Sequence, residues 1–250
     1  MIEAIHSAIY NAFIIEERWQ LWLIGLQNTL TITFFALIIG LLIGITIAII
    51  RVSKDSMVNP PAFLIILNRL VSIYVSVIRG IPMLVQLLVW AFIILAGNRN
   101  GIIIGSLAFG FNSGAYVSEI FRAGIQSVDK GQMEAGRSLG LSYPQSMFKI
   151  VLPQAIKNCL PAFGNEFISL LKETSIAGMA GIMDITQASN SIRSRTFDAT
   201  TLIFVAIVYL ILVIILEQLV KLMERKLAKS DKRGFKAVKS IKRKELRNND

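Results

Sequence analysis

One cysteine, Cys159, and one histidine, His6, are all that 250 residues contain of either type. A single thiol closes no intrachain disulfide, and a place near a helix start makes Cys159 a packing residue. One imidazole and one thiol build no His/Cys metal cluster, and no Ser-His arrangement is credible inside the apolar segments. No Gly-Lys dipeptide occurs, which removes the phosphate-cradling P-loop and with it ATP hydrolysis by this chain itself. No cofactor is expected. Acidic residues are scarce too, at 16 Asp and Glu against 26 Lys and Arg, for a net charge of +10. No internal repeat of fixed period emerges, and low-complexity sequence is confined to the basic stretch after about Lys226.

What the chain has instead is apolar length. Hydrophobic residues make up 54% of it and the mean hydropathy is +0.62, too apolar for an ordinary soluble domain of this size. Trp19 to Ile50 is 32 residues without a charge, Gly80 to Asn98 and Asn100 to Ser118 are 19 each, and Ala199 to Leu216 is 18. About 20 apolar residues cross the hydrocarbon core. A further span at 160–182 is less clean, because it carries Glu166, Lys172 and Glu173. The expectation is an all-α membrane protein with about five transmembrane helices, near 20–50, 62–97, 102–122, 160–182 and 199–222. Pro82 should kink the second, since proline removes one backbone bond and clashes with the preceding turn.

Charge sets the orientation. Lys221 to Asp250 holds 12 Lys and Arg against 4 Asp and Glu, so by the positive-inside rule the tail is cytoplasmic. Five alternating spans then put Arg51, Lys54, Lys130, Arg137, Lys149 and Lys157 on that same side. Arg18, Arg99, Arg193 and Arg195 fall on the other, with the N-terminus outside. The tail reads as a topology determinant that attracts anionic headgroups. Nucleic-acid binding lacks the aromatic interleaving or folded module it would need. Met1-Ile2-Glu3 is not the basic start of a signal peptide, and residues 5–15 form either an interfacial amphipathic helix or a disordered lead-in.

Between the spans lies a polar island, Val128 to Pro153. A helix can start at Asp129, with Gln132 reaching back to it, and stop at Gly140, the residue that tolerates a left-handed cap at least cost. Ser142 with Gln145 makes a second capping box, and Pro144 sits in the first turn, where its missing N–H costs little. Pro153 is expected to end that helix and turn the chain back through Lys157. Met147, Ile150 and Val151 share one face, with Lys149 on another. The product is a short amphipathic pair capped at both ends, a docking surface for another protein.

Glu134, Ala135, Gly136, Gly140, Ile150, Leu152 and Pro153 resemble, spacing for spacing, the EAA signature of ATP-binding-cassette importer permeases. Gly136 stands where the signature has Ala, which should cost helix propensity more than function. Arg79-Gly80-Ile81-Pro82 with Val85-Gln86, Ala115-Tyr116 with Glu119-Ile120 and Arg122, and Leu171-Lys172-Glu173-Thr174-Ser175 are similar to the polar amino-acid branch. The resemblance spans roughly Trp19 to Arg225 and implies a permease domain at 19–225 with a cytoplasmic coupling loop at 123–157. An external lead-in, 1–18, would precede it, and a basic cytoplasmic tail, 226–250, would follow. It further implies cytoplasmic ATPase subunits docked on the coupling-helix pair, an extracytoplasmic amino-acid-binding protein and a second permease copy. The place would be a bacterial cytoplasmic membrane.

Charges at membrane depth need a partner, a cavity or a bundle interior. Glu119 and Arg122 are three apart and can pair locally, or Glu119 can face the pathway and attract a substrate ammonium group. Lys172 and Glu173 point about 100° apart, so one can face the pathway, while pairing with Arg69 or Arg79 is the structural alternative. Gln86 and Asn112 can bind a zwitterion or bond between helices. Gly40 and Gly44, with Gly110 and Gly114, have the spacing that lets helices approach closely. A secondary transporter is the rival reading; it would show inverted repeats with matched broken helices, and only the break at Pro82 is visible. A membrane-embedded enzyme would need clustered nucleophiles, bases or metal ligands, which this inventory lacks.

Overall fold

The 37 residues of Trp19–Asp55 contain no proline and carry their first charge at Arg51, and they form one uninterrupted helix, α1. At 1.5 Å per residue such a helix is about 55 Å long, more than the hydrocarbon core is thick. Its Arg51 end therefore emerges from the apolar layer. The computed structural model describes residues 9–57 and 59–248, with side chains through residue 227.

The next elements are α2 (Ala62–Gly80) and α3 (Met83–Val89), the latter extended by a π turn at Trp90–Ile94. Between them the chain is extended at Ile81 (φ −103°, ψ 133°) and at Pro82 (φ −57°, ψ 137°). The expected kink in one long helix is thus a full break. Proline drives its predecessor out of the helical region, and two residues in extended conformation end the hydrogen-bond ladder.

Then come α4 (Gly101–Gln126), capped by Asn100 Oδ1, which accepts from the N–H groups of Ile102 and Ile103, and the two island helices α5 (Lys130–Ser138) and α6 (Tyr143–Ser146). A π turn at Met147–Val151 joins α6 to α7 (Leu152–Glu173) with no intervening loop. Pro153 does not end the island, contrary to expectation. It lies in the first turn of α7, where its missing N–H costs little, and the wider π turn before it absorbs the mismatch.

The fourth span also stops short of residue 182. α7 gives way after Glu173 to a 3₁₀ segment, Thr174–Ala180, closed by Gly181 at φ +74°. A helix not expected from the sequence follows, α8 (Ile185–Thr196), and then the last, α9 (Thr201–Asn248). Asp184 caps α8, its carboxylate accepting from Thr186 N at 2.9 Å and Gln187 N at 3.0 Å. Ile185, Ala188 and Ile192 give α8 the buried face that holds it to α1.

Among the described residues, four helices are long and apolar enough to cross a membrane: Trp19–Asp55, Ala62–Gly80, Gly101–Gln126 and Thr201–Leu227. The 22 residues of α7 are also long enough, but Lys157, Glu166, Lys172 and Glu173 make it too polar to face lipid. It packs inside, against α4, α1 and α9. The protein is therefore an all-α membrane bundle with a helical pair at the end where α1 and α9 finish.

The principal seam is α1 against α4, and it rests on small residues. A Cβ on Gly40 would lie 2.9 Å from Ser113, and one on Gly114 would lie 2.7 Å from Ile43 Cγ2. The four glycines noted for their spacing face each other's helices in this one contact. Gly44→Leu would drive its side chain into Val117, and a loss of about 2–3 kcal/mol is expected from overpacking. A thermal melt of the detergent-purified chain checks this, with Gly97→Ala, where nothing lies within 4 Å, as the tolerated control.

The opposite end is tied by residues 10–22. Trp22 Nε1 donates to Ala12 O at 3.0 Å, Arg18 Nη1 to Asn11 O at 2.6 Å, and Phe13 stacks on Trp22 at 5.4 Å between centroids. The described part of the expected lead-in is a π turn packed on the bundle and not a free surface helix. Residues 1–8, with His6, lie outside the described residues, as do the side chains of the basic tail after 227.

Candidate functional site: the island and a charged cluster beneath it

The island is built as its local sequence dictates. Asp129 caps α5 by accepting from Gly131 N at 2.7 Å. Gln132 does not reach back to it; its Oε1 accepts from Gln154 on α7 instead, at 3.4 Å. Gly140 takes φ +85°, the Gly140 N–H bonds Arg137 O at 3.0 Å, and the Leu141 N–H bonds Gly136 O at 3.2 Å. That bond pair is the Schellman stop of a helix, and it requires the left-handed residue. Ser142 Oγ accepts from Gln145 N while Gln145 Oε1 accepts from Ser142 N, so the second box is complete.

Gly136 is the buried residue of α5, crossing α6 closely enough that a Cβ would come within 2.8 Å of both Ile150 Cδ1 and Ser146 Oγ. Close crossing accounts for the small side chain here. Glu134, Ala135 and Pro153 are exposed, and Ile150 and Leu152 are half-buried. Two large apolar side chains here stay uncovered: Leu139 is 83% exposed, and Phe148, 65% exposed, borders an apolar groove shared with Ile45, Ile49 and Phe121 of the bundle.

Beneath the island, three helices aim guanidinium groups at one carboxylate. Arg51 of α1 donates to Glu119 Oε1 at 2.6 Å, Arg122 of α4 to Oε2 at 2.7 Å, and Arg79 of α2 stands 3.8 Å from Oε2. Arg79 also lies over the Tyr116 ring, 5.3 Å from its centroid. The local Glu119–Arg122 pair exists, but the shortest contact is the long-range one to Arg51. The Arg51 and Glu119 side chains keep only 16% and 19% of their exposure. Next to this cluster opens a groove of 520 Å³ between α4 and α7, with Arg79, Tyr116, Glu119, Asn158 and Glu166 on its walls. Glu166 is held across it by Ser113 Oγ, which donates at 2.7 Å.

The remaining candidate residues are not brought to this groove. Gln86 is buried at the α2–α3 break, where its Nε2 donates to Ile78 O at 2.7 Å and Ile81 O at 2.8 Å. Those carbonyls lost their helical donors to the break. Gln86→Leu should cost about 1–2 kcal/mol: it unpairs both carbonyls at a partly exposed break, and it also removes the buried Gln86 Oε1, which has no partner. The loss is expected as a lower melting temperature, not as an altered substrate preference. Asn112 is buried in α4. Lys172 is exposed and Glu173 half-buried further along α7, and neither pairs with Arg69 or Arg79; the latter is engaged with Glu119. Arg51 and Ser113 were not singled out from sequence as site residues. For Arg51 the signal was there, as the first charge after the longest uncharged run.

A family model for binding-protein-dependent transport system inner membrane components matches residues 61–229. The chain belongs to that family. This permease is 38% identical over 225 residues to a probable glutamine ABC transporter permease protein, GlnM, of Bacillus subtilis, covering 88% of this chain and 99% of that one. It is 35% identical over 216 residues to the L-cystine transport system permease protein TcyB of the same organism, covering 85% and 88%. Among solved structures, an amino acid ABC transporter crystallised with histidines superposes with a TM-score of 0.74 at 40% identity, over 83% of this chain and 94% of that one. An inward-facing MetNI methionine ABC transporter gives 0.72 at 21% identity, which establishes the shared fold. The permease's α1 lies outside the matched family segment, yet it supplies Arg51 to the charged cluster.

Proposed function

We propose that this permease carries a polar amino acid inward across a bacterial inner membrane, driven by separate ATPase subunits that dock on the island through Glu134 to Pro153. The single observation that carries the reading is the island itself: two short capped helices, the second continuous with α7, that leave Leu139 and Phe148 uncovered. Apolar side chains presented this way beside Glu134 and Arg137 suit an interface with a protein, and helix continuity suits force transmission into α7. The island and tail would be cytoplasmic, in line with the excess of Lys and Arg on that side. The relatives named for glutamine and cystine and the histidine-bound structure support an amino acid as cargo. Glu166, Glu119 and Arg79 around one groove offer an ammonium group and a carboxylate their opposite charges. A second permease copy would close the open side of that groove, and an external binding protein would deliver substrate to it.

The test is ATP hydrolysis by the reconstituted complex, with its binding protein loaded by each amino acid in turn. Stimulation by one polar amino acid, together with stoichiometric co-purification of the ATPase, is the expected result. Uptake by the purified chain with no ATPase attached would overturn the proposal.

A further inference from the structure

The charge count around Glu119 does not close. Arg51, Arg79 and Arg122 bring three positive charges to one carboxylate, and the nearby Asp55 is matched by Lys54 at 3.1 Å. Two positive charges are left over. They lie where the uncharged run of α1 ends, at Ile50, and just past where that of α4 ends, at Ser118. Arg79 and Arg122 are about half-exposed at this edge of the apolar runs, where excess positive charge attracts anionic headgroups.

On the α2 side of the same cluster lies a separate pocket of 240 Å³, between α1, α2 and α4. Arg51 and Arg122 form its basic wall, and Asn68, Ser72 and Gln126 complete the polar lining beside Asp55. The amide nitrogens of Asn68 and Gln126 have no acceptor among the described residues, while Gln126 Oε1 accepts from Arg122 Nη1 at 3.4 Å. Ala48, Val52 and Ile125 make the rest of the wall apolar. Arg122 adds charge but no free donor, its Nε and Nη2 being held by Glu119 and its Nη1 by Gln126, whereas Arg51 bonds Glu119 through Nη1 alone. The remaining Arg51 donors, two spare amide donors and an apolar border at the depth of lipid headgroups fit one chemistry, a phosphate ester.

We propose that this pocket binds the phosphate of an anionic phospholipid headgroup from the leaflet on the island side, and that the bound phosphate supplies the negative charge the arginine cluster lacks. The lipid's acyl chains would lie along Ala48, Val52 and Ile125. The proposal is independent of which solute the permease carries.

The experiment is native mass spectrometry of the full chain released from mixed micelles of phosphatidylglycerol and phosphatidylcholine. With two excess charges near the surface, wild type should retain one phosphatidylglycerol in preference to phosphatidylcholine by about thirtyfold. Asn68→Ala with Gln126→Ala should cut the preference severalfold. Ser72→Asp, which places a fixed carboxylate in the pocket and leaves the arginine cluster intact, should bring the ratio close to one. Ser72→Asp also serves if the double alanine variant does not fold. Inorganic phosphate at millimolar concentration distinguishes the sources: bound without lipid, it identifies free phosphate as the ligand of the same site and removes the headgroup from the proposal. Equal retention of the two lipids by wild type, or a preference unmoved by Ser72→Asp, overturns it.

Discussion

Gly140→Val is expected to lower uptake by the reconstituted transporter about tenfold while the chain still inserts, and Gly140→Asn is expected to retain most of it. The difference follows from backbone alone. Nothing lies within 4 Å of the position a Cβ would take, so neither side chain meets a neighbour. What valine meets is φ +85°, a conformation that costs an L-residue about 1–2 kcal/mol and a β-branched one the upper end of that range, whereas asparagine adopts it readily. In a long helix that strain would be absorbed. Here it falls on an α5 of nine residues and an α6 of four, lengths that hold no helical stability of their own. The Gly140 and Leu141 N–H groups would leave Arg137 and Gly136, and the two helices would lose their fixed angle. If the island transmits force, ATP hydrolysis should persist without substrate stimulation. Equal uptake by the Val and Asn variants would remove Gly140 from the coupling path.

The same island shows which parts of this molecule are readable in its sequence. Its caps were legible because each is settled within five residues: Asp129 and Gly131, Gly140 with Arg137, Ser142 with Gln145. Asp184 and Gln187 carry an equally local signal, and the start of α8 was there to be read; the expectation of a span through residue 182 hid it. Pro153 misled for a different reason. Proline costs little in a helix's first turn, where its missing N–H has no partner to lose, and a π turn ahead of it made position 153 a beginning; Pro161, inside the same helix, does not end it either.

Pairings distant in sequence were not legible at all. Spacing marks Gly40, Gly44, Gly110 and Gly114 as approach points, yet only the packed bundle shows that they meet in one seam. Glu119 carries a visible neighbour at Arg122 and an invisible one 68 residues away at Arg51, and the invisible one is nearer.

That asymmetry makes Glu119→Gln the most destabilising single change in the charged cluster. Breaking a fully buried pair by removing one partner costs about 3–5 kcal/mol, because the survivor is left desolvated. Glu119 and Arg51 are mostly but not wholly covered and Arg122 is half-exposed, so about 2–3 kcal/mol is the appropriate expectation. For a chain of this size that is a fall of about 5–10 °C in melting temperature. Arg122→Gln should cost under about 1 kcal/mol, since its exposed guanidinium returns to water and Arg51 still satisfies Glu119.

A double-mutant cycle separates the partners: Glu119→Gln with Arg51→Gln should show coupling of at least about 1 kcal/mol, and Glu119→Gln with Arg122→Gln markedly less. Raising salt should leave the first coupling nearly unchanged and erode the second, because screening acts on the exposed pair. Coupling of equal size in the two cycles would mean that the local pair, not the link from α1 to α4, holds the cluster.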